Sequence, residues 1–464
     1  MITKIEINGF KTFTKFQMEF APLTIIAGTN ASGKSNLFDA MQLLSRIVDT
    51  DLKTAFSEQR GSASELFTLY ENGSTATEIS FAIELLLDKN IKDKFGGTAQ
   101  LKYTRLRYEI AIKQIINDRG VQELVIVSEF LNPIRHELDK WLKVYIPKKG
   151  LEKWRPKVIS GKRGVAYIDT DSDRVNLRQD GKGGIKKEFS LNNINQAIIS
   201  VVNSVDFPHA LGAKEEIKNW RFLQLNPEDL RQPSSYLAKD DITHTGQNLA
   251  AALHRIKNSD PISLMQINRR LNALLPSISS VDVIDDKVGK QFVIQVKTQD
   301  GRVFTSRVLS EGTLRLLTLC VFLFDKDHKG LLCFEEPENG VHPARMKLTA
   351  KLLMDLVSHF EEDVDQELRQ VIVNTHSPVL VGDSFKLNNQ NVCRIWLSQL
   401  ITQFVTINHV KQKIQITKML PVVKGASQLS IDFSENERKL TLASVVDYLQ
   451  TSDFEQEIQQ IEDK

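Results

Sequence analysis

Gly28-Thr29-Asn30-Ala31-Ser32-Gly33-Lys34-Ser35 constrains what this chain can fold into more than any other stretch. It satisfies G-x-x-x-x-G-K-[ST] at each fixed position. Leu23–Ala27 before it is a short apolar, β-branched run, which reads as a buried strand. Asn36–Leu44 after it has helical spacing, with Leu37, Met41 and Leu44 on one face. A loop between a strand end and a helix start aims free backbone N–H groups and the positive end of the helix dipole at an anion. Gly28 and Gly33 let that backbone curl without a Cβ in the way. The expected result is a phosphate cradle of Asn30, Ala31, Ser32, Gly33, Lys34, Ser35 and Asn36. Lys34 is placed on the β- and γ-phosphates, and the Ser35 hydroxyl on Mg²⁺.

The chain has 464 residues, enough for two or three domains and a large core. A formal net charge of +2 is too small to argue by itself for a nucleic-acid partner. Cys320, Cys333 and Cys393 lie in apolar runs without a C-x-x-C, so neither a zinc hook nor a disulfide framework is indicated. They read as small buried hydrophobes in a reducing compartment. The opening Met1–Ile7 alternates like a strand and has no apolar leader. The longest apolar run, near Leu316–Phe324, falls far short of a membrane span. The expectation is a cytoplasmic protein with no membrane contact.

Ile2–Phe20 reads as two strands joined through Gly9–Phe13, a hairpin leading into the phosphate loop. Lys11 in that turn lies either against the nucleotide or simply in solvent. Thr77–Leu87, Leu101–Ile112 and Leu124–Phe130 have strand patterns and suggest an antiparallel sheet beside the nucleotide core. Between Trp141 and Lys187, eight basic residues from Lys143 to Arg163 crowd together with Trp141, Tyr145 and Trp154 interleaved. Such a stretch either binds a nucleic acid or acidic partner, or is a solvated insertion. Asp169, Asp171 and Asp173 form a D-x-D-x-D run. A calcium loop starting there needs Gly at its sixth and Glu at its twelfth position, where Arg174 and Asp180 stand. A polar hairpin turn is the better reading.

Leu191–Val202, Ala213–Trp220, Thr243–Lys257 and Ile262–Leu275 have helical patterns, and Val281–Val296 and Phe304–Val308 strand patterns. No sustained heptads and no repeat of 20–50 residues occur, which argues against a long coiled-coil arm.

Four later stretches narrow the chemistry. Leu309–Arg315 opens a helix, and Ser310 with the Gly312 N–H makes a second anion site at its N-terminus. Gly330–Glu336 is a buried strand ending in two acids. A carboxylate at the C-terminal end of a parallel strand is where Mg²⁺ is held beside a phosphate loop. Glu335 is therefore assigned to the metal, directly or through water, and Glu336 to orienting and polarising the attacking water. Pro337–Pro343 is a rigid turn before a helix expected over Arg345–Phe360. Val371–Ser377 is a β run ending in Thr-His-Ser, from which His376 can touch the γ-phosphate.

This order of motifs resembles the ABC-type ATPase heads of the SMC and RecF proteins, in particular the OLD-like ATPase group of bacterial phage-defence operons. Gly246-x-Asn248-Leu249 resembles that group as well. The resemblance implies an α/β fold: an ABC-type P-loop ATPase head with mixed sheets plus an α+β insertion. The head would be assembled from 1–130 and 241–425, with the insertion at 131–240 and an acidic helical tail at 426–464. It further implies ATP and Mg²⁺ as ligands and slow hydrolysis by two heads paired head-to-tail. The nucleotide on one P-loop would be capped by Ser310 and Gly312 of the other copy. Asn339–His342 would be the D-loop and His376 the switch histidine. Two departures stand out: Glu335 replaces the usual Asp, and Thr313 stands where SMC heads tend to have Glu. Gln59 is the candidate Q-loop residue.

Only 88 residues follow His376. They hold strand patterns at Val392–Leu397, Phe404–Ile407 and Lys413–Met419 and an acidic amphipathic helix around Leu442–Ile461. That helix either docks a partner or covers the chain's own sheet edge. No Toprim-type acid set, H-N-H motif or R-x₄₋₆-H is evident there. By resemblance to the ATPase subunits of Septu and PARIS, the expected partner is a separate nuclease effector, released by a nucleic-acid or phage-encoded trigger. The other expectation is a RecF-like DNA-binding ATPase of repair or recombination.

Overall fold

The computed structural model describes residues 1–157, 166–179, 185–191, 194–361, 366–388, 392–407 and 410–422. The expected terminal helix at Leu442–Ile461, with the whole of 426–464, lies outside the described residues, as do Lys162 and Arg163.

The chain begins with strands β1 (Ile2–Asn8) and β2 (Phe16–Glu19), paired antiparallel with Ile7 opposite Phe16. Strand β3 (Leu23–Ala27) then runs into the phosphate loop and helix α1 (Lys34–Ile47). Long strands follow: β4 (Glu78–Leu86), β5 (Arg105–Ile116) and β6 (Gln122–Pro133). Three short ones complete that group: β7 (Ile168–Asp171), β8 (Arg174–Arg178) and β9 (Lys186–Ser190). Together they form an eight-stranded antiparallel sheet in the order β9-β8-β7-β6-β5-β4-β1-β2. The strands at 168–190 thus continue the sheet that β1 begins.

The second large sheet is built from distant parts of the sequence. Its strands are β10 (Arg221–Leu223), β11 (Gly330–Glu335), β12 (Arg369–Thr375), β13 (Cys393–Ile407) and β14 (Val410–Val422), with β3 in the middle. The order is β10-β11-β12-β3-β13-β14, parallel throughout except for the antiparallel edge strand β14. Side chains alternate across it as the period of a strand requires. Leu331, Cys333 and Ile372 join the core around α1, whereas Leu332, Phe334, Val371 and Val373 join the core on the other face. Helix α1 buries Leu37, Met41 and Leu44 completely between the two sheets. The opposite face is covered by α2 (Leu249–Ser259), α3 (Pro261–Leu274), α4 (Glu311–Phe324) and α5 (Met346–Asp355).

Three expectations need correction. Leu191–Val202 is not a helix: among its described residues only a 3₁₀ turn forms, over Ile198–Val201. The buried Glu129 carboxylate of β6 accepts the N–H groups of Ile198 (2.6 Å) and Ile199 (2.9 Å), which fixes a turn against the sheet. The strand expected from Leu101 starts only at Arg105, because His209 Nε2 accepts the N–H groups of Lys102 and Tyr103 before it. The aromatics of the basic stretch do not face outward. Trp141 and Trp154 are buried edge-on against Phe360, and Trp141 Nε1 donates to the Phe20 carbonyl at 2.6 Å. Asp169 sits in the β7–β8 hairpin accepting from Arg178 Nε (2.8 Å) and Asn176 (2.9 Å). β7 and β8 pair antiparallel with Arg174 opposite Asp171, so the D-x-D-x-D run lies in and beside a hairpin turn, as the polar-turn reading expects.

Candidate functional site

The C-terminal ends of β3, β12 and β11 lie side by side, and each delivers one part of the site. β3 leads into the phosphate loop. Ala31 (φ +60) and Gly33 (φ +88) are left-handed there, the alternation that turns successive N–H groups inward as an anion nest. Gly33 has a second reason to lack a side chain: a Cβ would sit 1.9 Å from Thr417 Oγ1 of β14. Lys34 is buried, and its ammonium donates to the Gly28 and Thr29 carbonyls at 2.7 Å each, so its charge spans the loop. Asn36 Nδ2 donates to Thr12 Oγ1 at 2.9 Å, tying the start of α1 to the β1–β2 turn. Lys11 of that turn is paired with Asp39 of α1 at 2.6 Å. It therefore stands beside the loop with its charge already met.

β12 lies between the loop strand and the acid strand. Asn374 is in register with Glu335, and its Nδ2 donates to Ser35 Oγ at 3.4 Å. The Asn374 Oδ1 is buried with no hydrogen-bond partner among the described residues. A serine hydroxyl, a half-buried carboxylate and an unsatisfied amide oxygen make an all-oxygen set, which suits a hard, hydrated divalent cation such as Mg²⁺. Burial raises the Glu335 carboxyl above its ordinary value, while Arg60 and Lys34 pull the other way.

Glu336 behaves oppositely. Its backbone is left-handed (φ +49), unusual for a residue with a Cβ, and its N–H donates to the Asn374 carbonyl at 2.8 Å. Asn339 Nδ2 donates to Oε2 at 2.7 Å, and His376 Nδ1 stands 3.4 Å from Oε1. The histidine, then Asn339, hold the carboxyl down at about 2 despite partial burial. An acid that weakly basic orients and polarises a water more readily than it removes a proton from it.

Glu338 was not singled out from the sequence. It is buried, and its Oε1 accepts from the Thr375 hydroxyl and from the His376 N–H (3.3 Å). His376 Nδ1 lies 3.9 Å away, and Oε2 has no hydrogen-bond partner among the described residues. Burial raises its carboxyl. Glu338 thus ties the turn after β11 to the histidine turn after β12. A third acid two residues beyond the Glu335-Glu336 pair was the available signal.

Ser310 is the N-cap of α4, is exposed, and its Oγ engages Thr313 Oγ1 at 2.9 Å. Gly312 seats on the turn after β11: a Cβ there would meet the Gly340 carbonyl oxygen at 2.3 Å. Gly340 is itself left-handed (φ +68), and a Cβ there would meet Glu311 Cγ at 2.7 Å. So the N-terminus of α4, with the exposed Ser310, is seated through Gly312 on the turn that carries Glu336 and Asn339. Gln59 is buried with Nε2 unpartnered among the described residues, next to Arg60, whose charge acts on Glu335.

A phosphate loop after the central parallel strand, acids after the next strand but one, and a histidine after the strand between them define a P-loop ATPase of the α/β class. The chain belongs to the family described as "AAA domain, putative AbiEii toxin, Type IV TA system", matched over residues 23–382. It is similar to a Helicobacter pylori protein named "ATP/GTP phosphatase", with 22% identity over 379 residues, covering 81% of this chain and 85% of that one. Among solved structures it is similar to the SMC head domain from Thermotoga maritima (14% identity, TM-score 0.38, covering 91% of this chain and 99% of that one). It is also similar to an SMC head domain from Pyrococcus furiosus, bound to the C-terminal domain of ScpA (14% identity, TM-score 0.46, covering 90% and 96%). No helix among the described residues is long and apolar enough to cross a membrane.

Proposed function

We propose that this chain hydrolyses ATP slowly in composite sites shared by two copies arranged head-to-tail. The cradle Asn30–Asn36 binds the phosphates of ATP, and Lys34 neutralises the β- and γ-phosphates. Ser35 and Glu335 would hold Mg²⁺, which when bound supplies charge neutralisation between the phosphates. Glu336 orients the attacking water, and His376 reads the γ-phosphate. Lys11, released from Asp39, would lie against the nucleotide. Ser310 and the Gly312 N–H of the second copy cap the γ-phosphate at a helix N-terminus. The observation that carries this reading is the exposed Ser310 at the start of α4, fixed through Gly312 and Gly340 to the same turn that bears Glu336 and Asn339. ATP then acts as a clamp, because it binds the paired state better than the separate copies.

The paired state is read here as the switch of a defence system: a sensor and scaffold that holds and releases a separate nuclease effector. Its support is the family description, which names a putative AbiEii toxin and a Type IV TA system and so is compatible with a toxin-linked setting. The test is tagged Glu336→Gln protein expressed from its native locus and purified with Mg·ATP. The expected result is a dimer or higher oligomer carrying a stoichiometric nuclease-like protein, identified by mass spectrometry. Nucleic acid without a protein partner would favour the RecF-like repair reading instead.

A further inference from the structure

Strand β13 pairs with β3 only over Cys393–Leu397. Beyond Leu397 it continues to Ile407 paired with β14, giving a two-stranded ribbon about 30 Å long past the end of β3. This ribbon starts at the phosphate loop. Ser398 Oγ donates to the Ser32 carbonyl at 2.8 Å, and Thr417 touches Gly33 and shares a 2.7 Å hydrogen bond with Thr12.

From that root outward, one face of the ribbon carries Thr402, Phe404 and Thr406 on β13, directly opposite Gln415, Lys413 and Lys411 on β14. All six are exposed, Phe404 to 64%. Directly opposed residues of an antiparallel pair lie on one face, so these side chains form a single surface. The whole segment Cys393–Val422 contains no Asp or Glu, in a chain with 58 of them, and it carries Arg394, Lys411, Lys413 and Lys418. The ribbon is tied to the rest of the chain at Lys413, whose N–H donates to Glu71 Oε2 at 3.2 Å, and Ile414 on its other face is buried, whereas the Phe404 ring lies open on a polar, cationic face with nothing to cover it among the described contacts.

We infer that the outer half of the β13–β14 ribbon is a binding surface for single-stranded nucleic acid. Lys411 and Lys413 meet backbone phosphates, and Phe404 stacks on a base between them. Thr402, Thr406 and Gln415 supply uncharged donors alongside. Stacking platforms flanked by lysines on a sheet face bind single strands with little sequence preference, because every base has a π-face. A cationic face without the ring would suit any polyanion; the ring is what favours an unstacked base over an acidic polypeptide. The inference stands whether or not an effector protein exists. It differs from the basic Trp141–Lys187 stretch, whose tryptophans are buried.

The test is fluorescence anisotropy of the full chain with a labelled oligothymidylate across a salt series. Lys411→Glu/Lys413→Glu and Phe404→Ala are compared with wild type, each first shown to keep its melting temperature and ATP binding. Wild type is expected to bind, with affinity falling as salt rises. The double variant should bind at least about tenfold more weakly, with a log–log salt slope shallower by about 1.4, two phosphate contacts at ~0.7 each. Phe404→Ala should lose roughly fivefold or more. No binding by wild type at low salt overturns the inference. So do variants that bind like wild type, and displacement of the oligonucleotide by polyglutamate at matched charge.

Discussion

His376 Nδ1 stands 3.4 Å from Glu336 Oε1, and this contact is the largest influence holding the Glu336 carboxyl at about 2. One residue earlier, burial pushes Glu335 in the opposite direction. Two adjacent acids at one strand end are thereby made unlike. Held at about 2, Glu336 is expected to be charged from mildly acid pH upward, while a cation facing Glu335 would favour its charged form. The histidine does this from the end of the neighbouring strand β12, held there by Glu338 through the Thr375 hydroxyl and the His376 N–H.

Removing the histidine should therefore change the shape of the pH profile as well as the rate. With the Glu336 carboxyl held at about 2, the acid limb of wild-type ATP hydrolysis should not be set by Glu336. In His376→Ala the Glu336 carboxyl rises toward its ordinary value of 4.5, so that activity at about pH 5 falls relative to pH 7.5. Phosphate release measured across that range, with ATP binding followed separately, reports it. A uniform drop with an unchanged profile would show that the contact does not tune Glu336.

Gly312→Ala tests the seating of α4 on the turn after β11. The new methyl would have to displace the Gly340 carbonyl, which lies 2.3 Å from its position. Overpacking of this kind costs about 1–3 kcal/mol, and here the displaced backbone carries Glu336 and Asn339. The expected outcome is a modest fall in melting temperature with a much larger fall in ATP hydrolysis. Unaltered hydrolysis would mean that Gly312 is not held to that turn.

Glu129 gives the eight-stranded sheet a pH dependence of its own. It is fully buried, and burial raises its carboxyl from 4.5 to about 7, against the Ile199, Ile198 and Tyr108 donors. The folded state therefore binds the proton more tightly than the unfolded state. The stability it contributes is complete below about 4.5 and is lost as pH rises through about 7. Wild type should lose melting temperature across that window, and Glu129→Gln should lose less, from a lower starting value. A slope equal to wild type would place the titrating group elsewhere.

The parts of the site with fixed local chemistry were legible in the sequence. The phosphate loop, Glu335, Glu336 and His376 each fall just at or after a strand end, where residue type and local geometry go together, and the structure brings β3, β12 and β11 side by side; Ser310 falls at the start of α4, outside that sheet. Glu338 was missed because its role depends on reaching a neighbouring strand. The helix expected over Leu191–Val202 failed for a similar reason: its apolar spacing was real, but a carboxylate more than sixty residues earlier claims the N–H groups of Ile198 and Ile199. The buried tryptophans at 141 and 154 show the same limit, since their partner Phe360 is far along the chain. The strand patterns at Val392–Leu397 and Phe404–Ile407 belong to one continuous strand, β13, whose length only its pairing with β14 reveals.

The composite site is tested most directly by mixing two inactive variants. Lys34→Ala lacks the phosphate-loop charge and Ser310→Arg lacks the cap, and each alone should fail to hydrolyse ATP. A head-to-tail mixed pair contains one intact site, made of the Ser310→Arg loop and the Lys34→Ala cap. Equal mixing should restore up to about a quarter of the wild-type rate, since half of randomly formed pairs are mixed and each has one working site of two. No recovery from two folded variants, or full activity of Ser310→Arg alone, would contradict a site shared between copies.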